Sequence, residues 1–76
     1  MKYCPIKIWR AQNNISQHKL SEMLDINVQA VRNWEKARTF PRAKQMIEIQ
    51  RITREPLFYA VWFLWYEKFK QEEIEI

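Results

Sequence analysis

Between Ser16 and Lys36 the chain reads SQHKLSEMLDINVQAVRNWEK, a stretch that leaves little choice of local fold. Leu20 and Leu24 lie four apart on one helical face after Ser16, a residue type suited to capping a helix N-terminus. Val31 and Trp34 lie three apart after Asn27, a second capping type. Only Asp25, Ile26 and Asn27 separate the two predicted helices, Ser16 to Leu24 and Val28 to about Lys36. Short helices joined by so tight a turn pack at a steep angle. That angle requires a small residue where the backbones approach, and Ser21 sits there. It requires an apolar triad to close it, supplied by Leu20, Ile26 and Val31 with Leu24 and Trp34 behind. It also requires a residue that tolerates a left-handed backbone. Glycine is absent from all 76 residues, so the turn falls to Asp25, among the few other types that enter this conformation.

The flanking sequence is helical in pattern. Pro5 suits a first helical turn, and a first helix from Pro5 to about Asn13 puts Ile6 and Trp9 on its inner side. Asn13-Asn14 makes a glycine-free stop. Pro41 opens a fourth helix, expected to bury Met46, Ile47 and one of Ile49 or Ile52. Pro56 opens a last segment, through about Glu72, that is aromatic nearly all round. Only Val61 is β-branched in its apolar run, which favours helix over strand. The expected fold is all-α, a small bundle of about five helices in one domain over residues 1–76. Residues 5–54 form its core, and residues 55–76 form an aromatic C-terminal segment.

Composition narrows the function. The formal net charge is +4. Residues 1–54 hold 11 Lys/Arg against 4 Asp/Glu, a net of +7, whereas residues 55–76 hold 2 against 5, a net of −3. A basic body with an acidic tail points to a polyanionic partner for the body alone. Cys4 is the only cysteine and His18 the only histidine, so neither a disulfide nor a zinc site of about four ligands can be assembled. The single thiol fits a reducing cytoplasm. Tyr3, Pro5, Lys7 and Arg10 interrupt any early apolar run, and no signal peptide is read there. The longest apolar stretch, Leu57 to Tyr66, spans 10 residues, against about 20 needed to cross a bilayer. No catalytic grouping, glycine-rich phosphate loop, cofactor site or small-molecule site is legible, so no enzyme is expected.

The Ser16–Glu35 stretch strongly resembles the Cro/repressor (XRE-type) helix-turn-helix family, in which Ser-Gln opens the second helix, as Ser16-Gln17 does. A Trp-Glu or Leu-Glu pair ends the family's recognition helix, as Trp34-Glu35 does here. The resemblance covers roughly residues 5–54. It implies a lambda-repressor-like fold, a buried ion pair between Arg10 and Glu35, and sequence-specific binding of double-stranded DNA. The short chain and the Phe40-Pro41 lead into the next helix also resemble small Cro-type proteins of phage or prophage origin. Two positions depart from the pattern: Asp25 replaces the usual turn glycine, and Ala37 replaces the glycine that follows Trp-Glu-x. Local backbone strain of order 1 kcal/mol is expected at each.

With that geometry the third helix turns Asn27, Val28, Gln29, Arg32, Asn33 and Lys36 toward the major groove. Gln29 is the leading base reader, because a Gln amide pairs with adenine N6 and N7 together. Arg32 can do the same for guanine O6 and N7, Val28 can pack on a thymine methyl, Asn33 can reach a base edge or a phosphate, and Asn27 can reach a base edge. Gln17, at a helix N-terminus, resembles the family's phosphate-binding Gln. Lys36, Arg38 and Arg42 cluster after the recognition helix as cationic phosphate contacts, with Lys19 as a further candidate.

The aromatics Phe58, Tyr59, Trp62, Phe63, Trp65, Tyr66 and Phe69 exceed what one buried stripe absorbs. Leu57, Val61 and Leu64 are expected to cover the first and fourth helices, and the aromatics to hold a second copy of the chain. A two-fold homodimer sets two recognition helices about 34 Å apart on a pseudo-palindromic operator. The expected function is a transcriptional regulator, a Cro-like repressor acting by promoter occlusion in the bacterial cytoplasm. The other reading is an antitoxin or adaptor whose aromatic segment grips a different polypeptide.

Overall fold

In the computed structural model, which describes residues 2–56 and 58–70, the chain forms five helices and, among the described residues, no strand. Helix α1 spans Pro5–Gln12, α2 Gln17–Leu24, α3 Val28–Glu35, α4 Ala43–Thr53 and α5 Phe58–Phe69. No helix of the described residues is long and apolar enough to cross a membrane.

Each boundary has a local cause. The Ser16 hydroxyl accepts from the Lys19 N–H at 3.0 Å and starts α2. Asn27 Oδ1 accepts from the Gln29 N–H at 2.7 Å and starts α3. The chain leaves helices at left-handed residues without a single glycine: Asn14 after α1, Asp25 after α2, Ala37 after α3 and Arg54 after α4, with φ between 55° and 61°. Asn and Asp side chains ease this conformation, so the strain expected at Asp25 is smaller than at Ala37 and Arg54, which hold it at a cost of about 1 kcal/mol each. Helix α4 starts later than the proline pattern predicts. Pro41 is buried outside it, and Arg42, in extended conformation, is the residue before the first turn. Its N–H donates to Gln45 Oε1 at 3.0 Å, so the side chain three residues on fixes the start at Ala43.

The core gathers one face from every helix. Ile6, Leu20, Val31, Trp34, Met46, Ile49, Trp62 and Trp65 are buried, with Trp9, Ile15, Leu24, Ile26, Phe40, Phe58 and Tyr66 packed around them. Ser21 is buried at the α2–α3 approach, its hydroxyl donating to the His18 carbonyl at 2.7 Å. Two expectations need correction. Ile47 is 63% exposed, because Met46, Ile49 and Thr53 follow the inner stripe of α4 and Ile47 falls off it. In α5, Leu64 and Val61 do not form the inner face; Leu64 is 68% exposed and Val61 38%. The helix turns Trp62 and Trp65 inward instead, Trp62 filling the space between Trp34, Phe40 and Phe58. Leu57 and the stretch from residue 71 lie outside the described residues.

Helix α5 closes the bundle by packing on α1 and α4. The Trp65 indole N–H donates to the Lys2 carbonyl at 3.3 Å, fastening the N-terminal segment as well. Cys4, the N-cap of α1, is a buried free thiol, and burial pushes its pKa up to about 12. In the unfolded chain the thiol ionises near 8.5. Its contribution to stability is therefore complete below that pH and is lost as pH rises toward the folded value. Relative to Cys4→Ala, the wild type should lose roughly 1 kcal/mol per pH unit above about pH 9. Urea midpoints of the two proteins measured in parallel between pH 8 and 11 check this, and parallel curves would contradict it.

Candidate nucleic-acid interface

The outer side of α3 is built by what its inner side buries. Val31 and Trp34 are held in the core. The Trp34 ring meets Trp62 of α5 edge-on, with centroids 5.8 Å apart. Helix α5 thus lies behind α3, and the opposite side of α3 remains free: Asn27, Gln29 and Lys36 are exposed, and Val28, Arg32 and Asn33 are half-buried. The polar side on which a groove-reading role depends is not covered by the C-terminal helix.

Hydrogen bonds pre-arrange part of this surface. Gln29 Nε2 donates to Asn33 Oδ1 at 3.3 Å, joining two amides one helical turn apart. Gln29 keeps its carbonyl oxygen and one N–H, the pair a bidentate contact to adenine requires. Asn27 Oδ1 is engaged in capping α3, so its amide group has donors but less accepting capacity to offer.

The angle between α2 and α3 is locked by a part-buried ionic cluster. Arg10 Nε donates to Glu35 Oε2 at 2.7 Å and its Nη2 to Glu35 Oε1 at 2.8 Å, a bidentate pair whose side chains are only 14% and 5% exposed. Arg10 Nη1 also donates to the Ile15 carbonyl at 3.0 Å. Gln17 Nε2 donates to Glu35 Oε1 at 3.0 Å. One carboxylate at the end of α3 therefore holds α1 and the first turn of α2. The second N–H of the Gln17 amide is not used in this cluster.

Around α3 several cations have no ion-pair partner among the described residues. Among the described residues the ion pairs are Arg10–Glu35, Arg51–Glu48 and Lys70–Glu67. Lys19, Lys36, Arg38 and Arg42 are exposed and take part in none of them. Three of these follow α3 directly, and the loop that carries Arg38 and Arg42 is anchored by Phe40. The Phe40 ring packs on Tyr59, Trp62, Phe63 and Tyr66 of α5 at centroid distances of 5.4–6.0 Å. Sequence reasoning read Phe40-Pro41 only as a lead into the fourth helix and missed this role. An aromatic residue flanked by Arg38 and Arg42, in a chain with an aromatic C-terminal segment, was the available signal.

The residues expected in an α5 interface divide. Trp62 is fully buried and Trp65 7% exposed, so both belong to the protomer's own core and are corrected as contact residues. Tyr59, Phe63 and Phe69 remain exposed, and Phe58 and Tyr66 are half-buried. Among the described residues no group of His, Cys, Asp and Glu is arranged to hold a metal ion.

A helix-turn-helix family model matches residues 6–59, from the second residue of α1 into the first turn of α5. No curated protein and no solved structure matches the chain.

Proposed function

The chain belongs to the helix-turn-helix family of the Cro/repressor type, and from that premise we propose that it is a single-domain, homodimeric repressor that occludes a promoter by binding a pseudo-palindromic operator. The observation that carries this reading is the free polar side of α3, flanked by cations that form no ion pair among the described residues and backed by an aromatic core. Gln29 and Arg32 read base edges, Val28 packs on a thymine methyl, and Asn33 holds the Gln29 amide while reaching the groove floor. Asn27 adds a donor at the groove edge. Gln17, Lys19, Lys36, Arg38 and Arg42 hold phosphates, which set register and carry most of the salt dependence.

Selection of tight binders from a random duplex pool, followed by gel shift, tests the proposal. Gln29→Ala should weaken the selected site by roughly 1–3 kcal/mol, or about 5- to 150-fold, and leave random DNA unaffected. Arg38→Ala should weaken both and reduce the slope of log K against log salt by about one. A Gln29→Ala protein with unchanged sequence preference would refute the assignment of the reading face.

A further inference from the structure

Helices α1 and α5 run antiparallel, because Trp65, in the second half of α5, donates its indole N–H to the Lys2 carbonyl just ahead of α1. The last turn of α1 therefore meets the start of α5, and Gln12 comes beside Glu55 at one end of the seam. Along that seam lies a groove of about 240 Å³. Its walls are apolar and half aromatic: Ile8 and Trp9 from α1, Phe58 and Val61 from α5. The Gln12 amide and the Glu55 carboxylate make its polar end.

Size and charge together select what such a groove takes. An apolar cavity of about 150 Å³ holds a benzene ring, so 240 Å³ accepts one ring with room for a short chain and a head group. Glu55 carries the only charge among the described residues that line the groove. It takes part in none of the ion pairs Arg10–Glu35, Arg51–Glu48 and Lys70–Glu67. A free carboxylate repels an anionic head and attracts an ammonium. The ring faces of Trp9 and Phe58 attract the same positive charge, and their apolar surface stacks on an aromatic body.

We infer that the α1–α5 groove binds a small arylalkyl amine, its single ring against Trp9 and Phe58 and its ammonium on the Glu55 carboxylate and the Gln12 amide oxygen. An apolar pocket with a few convergent polar groups is the usual build of a small-molecule site. The inference goes beyond the DNA-binding reading and stands apart from it, since none of these residues is assigned to base or phosphate.

Titration of the full chain with phenethylamine, phenethyl alcohol and phenylacetate, three probes of similar shape and different charge, tests the inference. At about pH 7 the amine is protonated and the acid ionised. The readout is the Trp9 indole N–H resonance, one of four such resonances in the protein. The amine should shift it saturably with a Kd on the order of 1 mM. The alcohol should bind about three- to tenfold more weakly, and phenylacetate should not saturate. Glu55→Gln, at an exposed position, should keep the melting temperature and lower the amine to the affinity of the alcohol. Val61→Phe fills the groove from a partly exposed position and should abolish the shift. Equal affinity for amine and phenylacetate, or undiminished amine binding by Glu55→Gln, would overturn the charge assignment. Amine binding retained by Val61→Phe would place the ligand elsewhere and overturn the site. A Trp9 resonance that no probe shifts would overturn the inference outright. A shift by an end-blocked Phe-Lys peptide but not by phenethylamine would do the same and assign the groove to a polypeptide.

Discussion

Glu35→Ala should cost about 2–4 kcal/mol of folding stability, because it leaves the part-buried Arg10 guanidinium without its counter-charge. The substitution also removes the acceptor of the Gln17 amide and cuts the link from α3 to α1 and α2. A chain of 76 residues is worth roughly 4–11 kcal/mol in all, so this one change should bring it near the edge of folding. Urea denaturation followed by circular dichroism measures the loss. A cost below about 1 kcal/mol would mean that the pair behaves as a solvent-screened surface bridge. Replacing both partners, as in Arg10→Met with Glu35→Leu, should recover most of the stability, since two apolar side chains leave no charge stranded. That double variant then separates fold from function. If Gln17 needs Glu35 to aim it at phosphate, the refolded protein will still bind DNA more weakly than the wild type.

Trp62→Ala should be comparably damaging, at about 3–5 kcal/mol. Its ring is fully buried and meets Trp34, Phe58 and Phe40 at centroid distances of 5.8, 5.8 and 6.0 Å. Truncation opens a cavity beneath both the third helix and the loop of Arg38 and Arg42. The indole N–H has no hydrogen-bond partner among the described residues, so the loss is one of packing. Trp62→Phe should therefore be much milder, because it keeps an aromatic ring in the cluster. Thermal melting of the three proteins checks the ranking. Equal melting temperatures for Trp62→Phe and Trp62→Ala would show that the cost does not follow the size of the cavity and would sink the packing account.

The helix-turn-helix was legible because its demands are local. Ser21, Asp25 and the Leu20–Ile26–Val31 triad sit within a few residues of one another, and each is forced by the turn itself. The left-handed conformation of Asp25 and the inward faces of Val31 and Trp34 follow from the same short-range rules. The resemblance led directly to the Arg10–Glu35 pair across 25 residues. It gave no notice that Gln17 shares the same carboxylate, because that contact depends on the angle at which α2 meets α3.

Where every face of a helix is apolar, the pattern loses its direction. In α5 almost any stripe could have been the inner one, and aliphatic Val61 and Leu64 were expected where Trp62 and Trp65 are found. The choice is made by the shape of the space that Trp34 and Phe40 leave open, a property of assembled helices. The start of α4 is similar: Pro41 permitted a helix, but Phe40 pinned against α5 and Gln45 reaching back to Arg42 delayed it to Ala43. By itself the sequence determined the two-helix unit, its turn and the side of α3 that faces outward, since these are set by periodicity and backbone sterics over a few residues. Only the tertiary structure decided which rings fill the core and which residues of α5 are left at the surface, because those follow from packing between segments far apart in the chain.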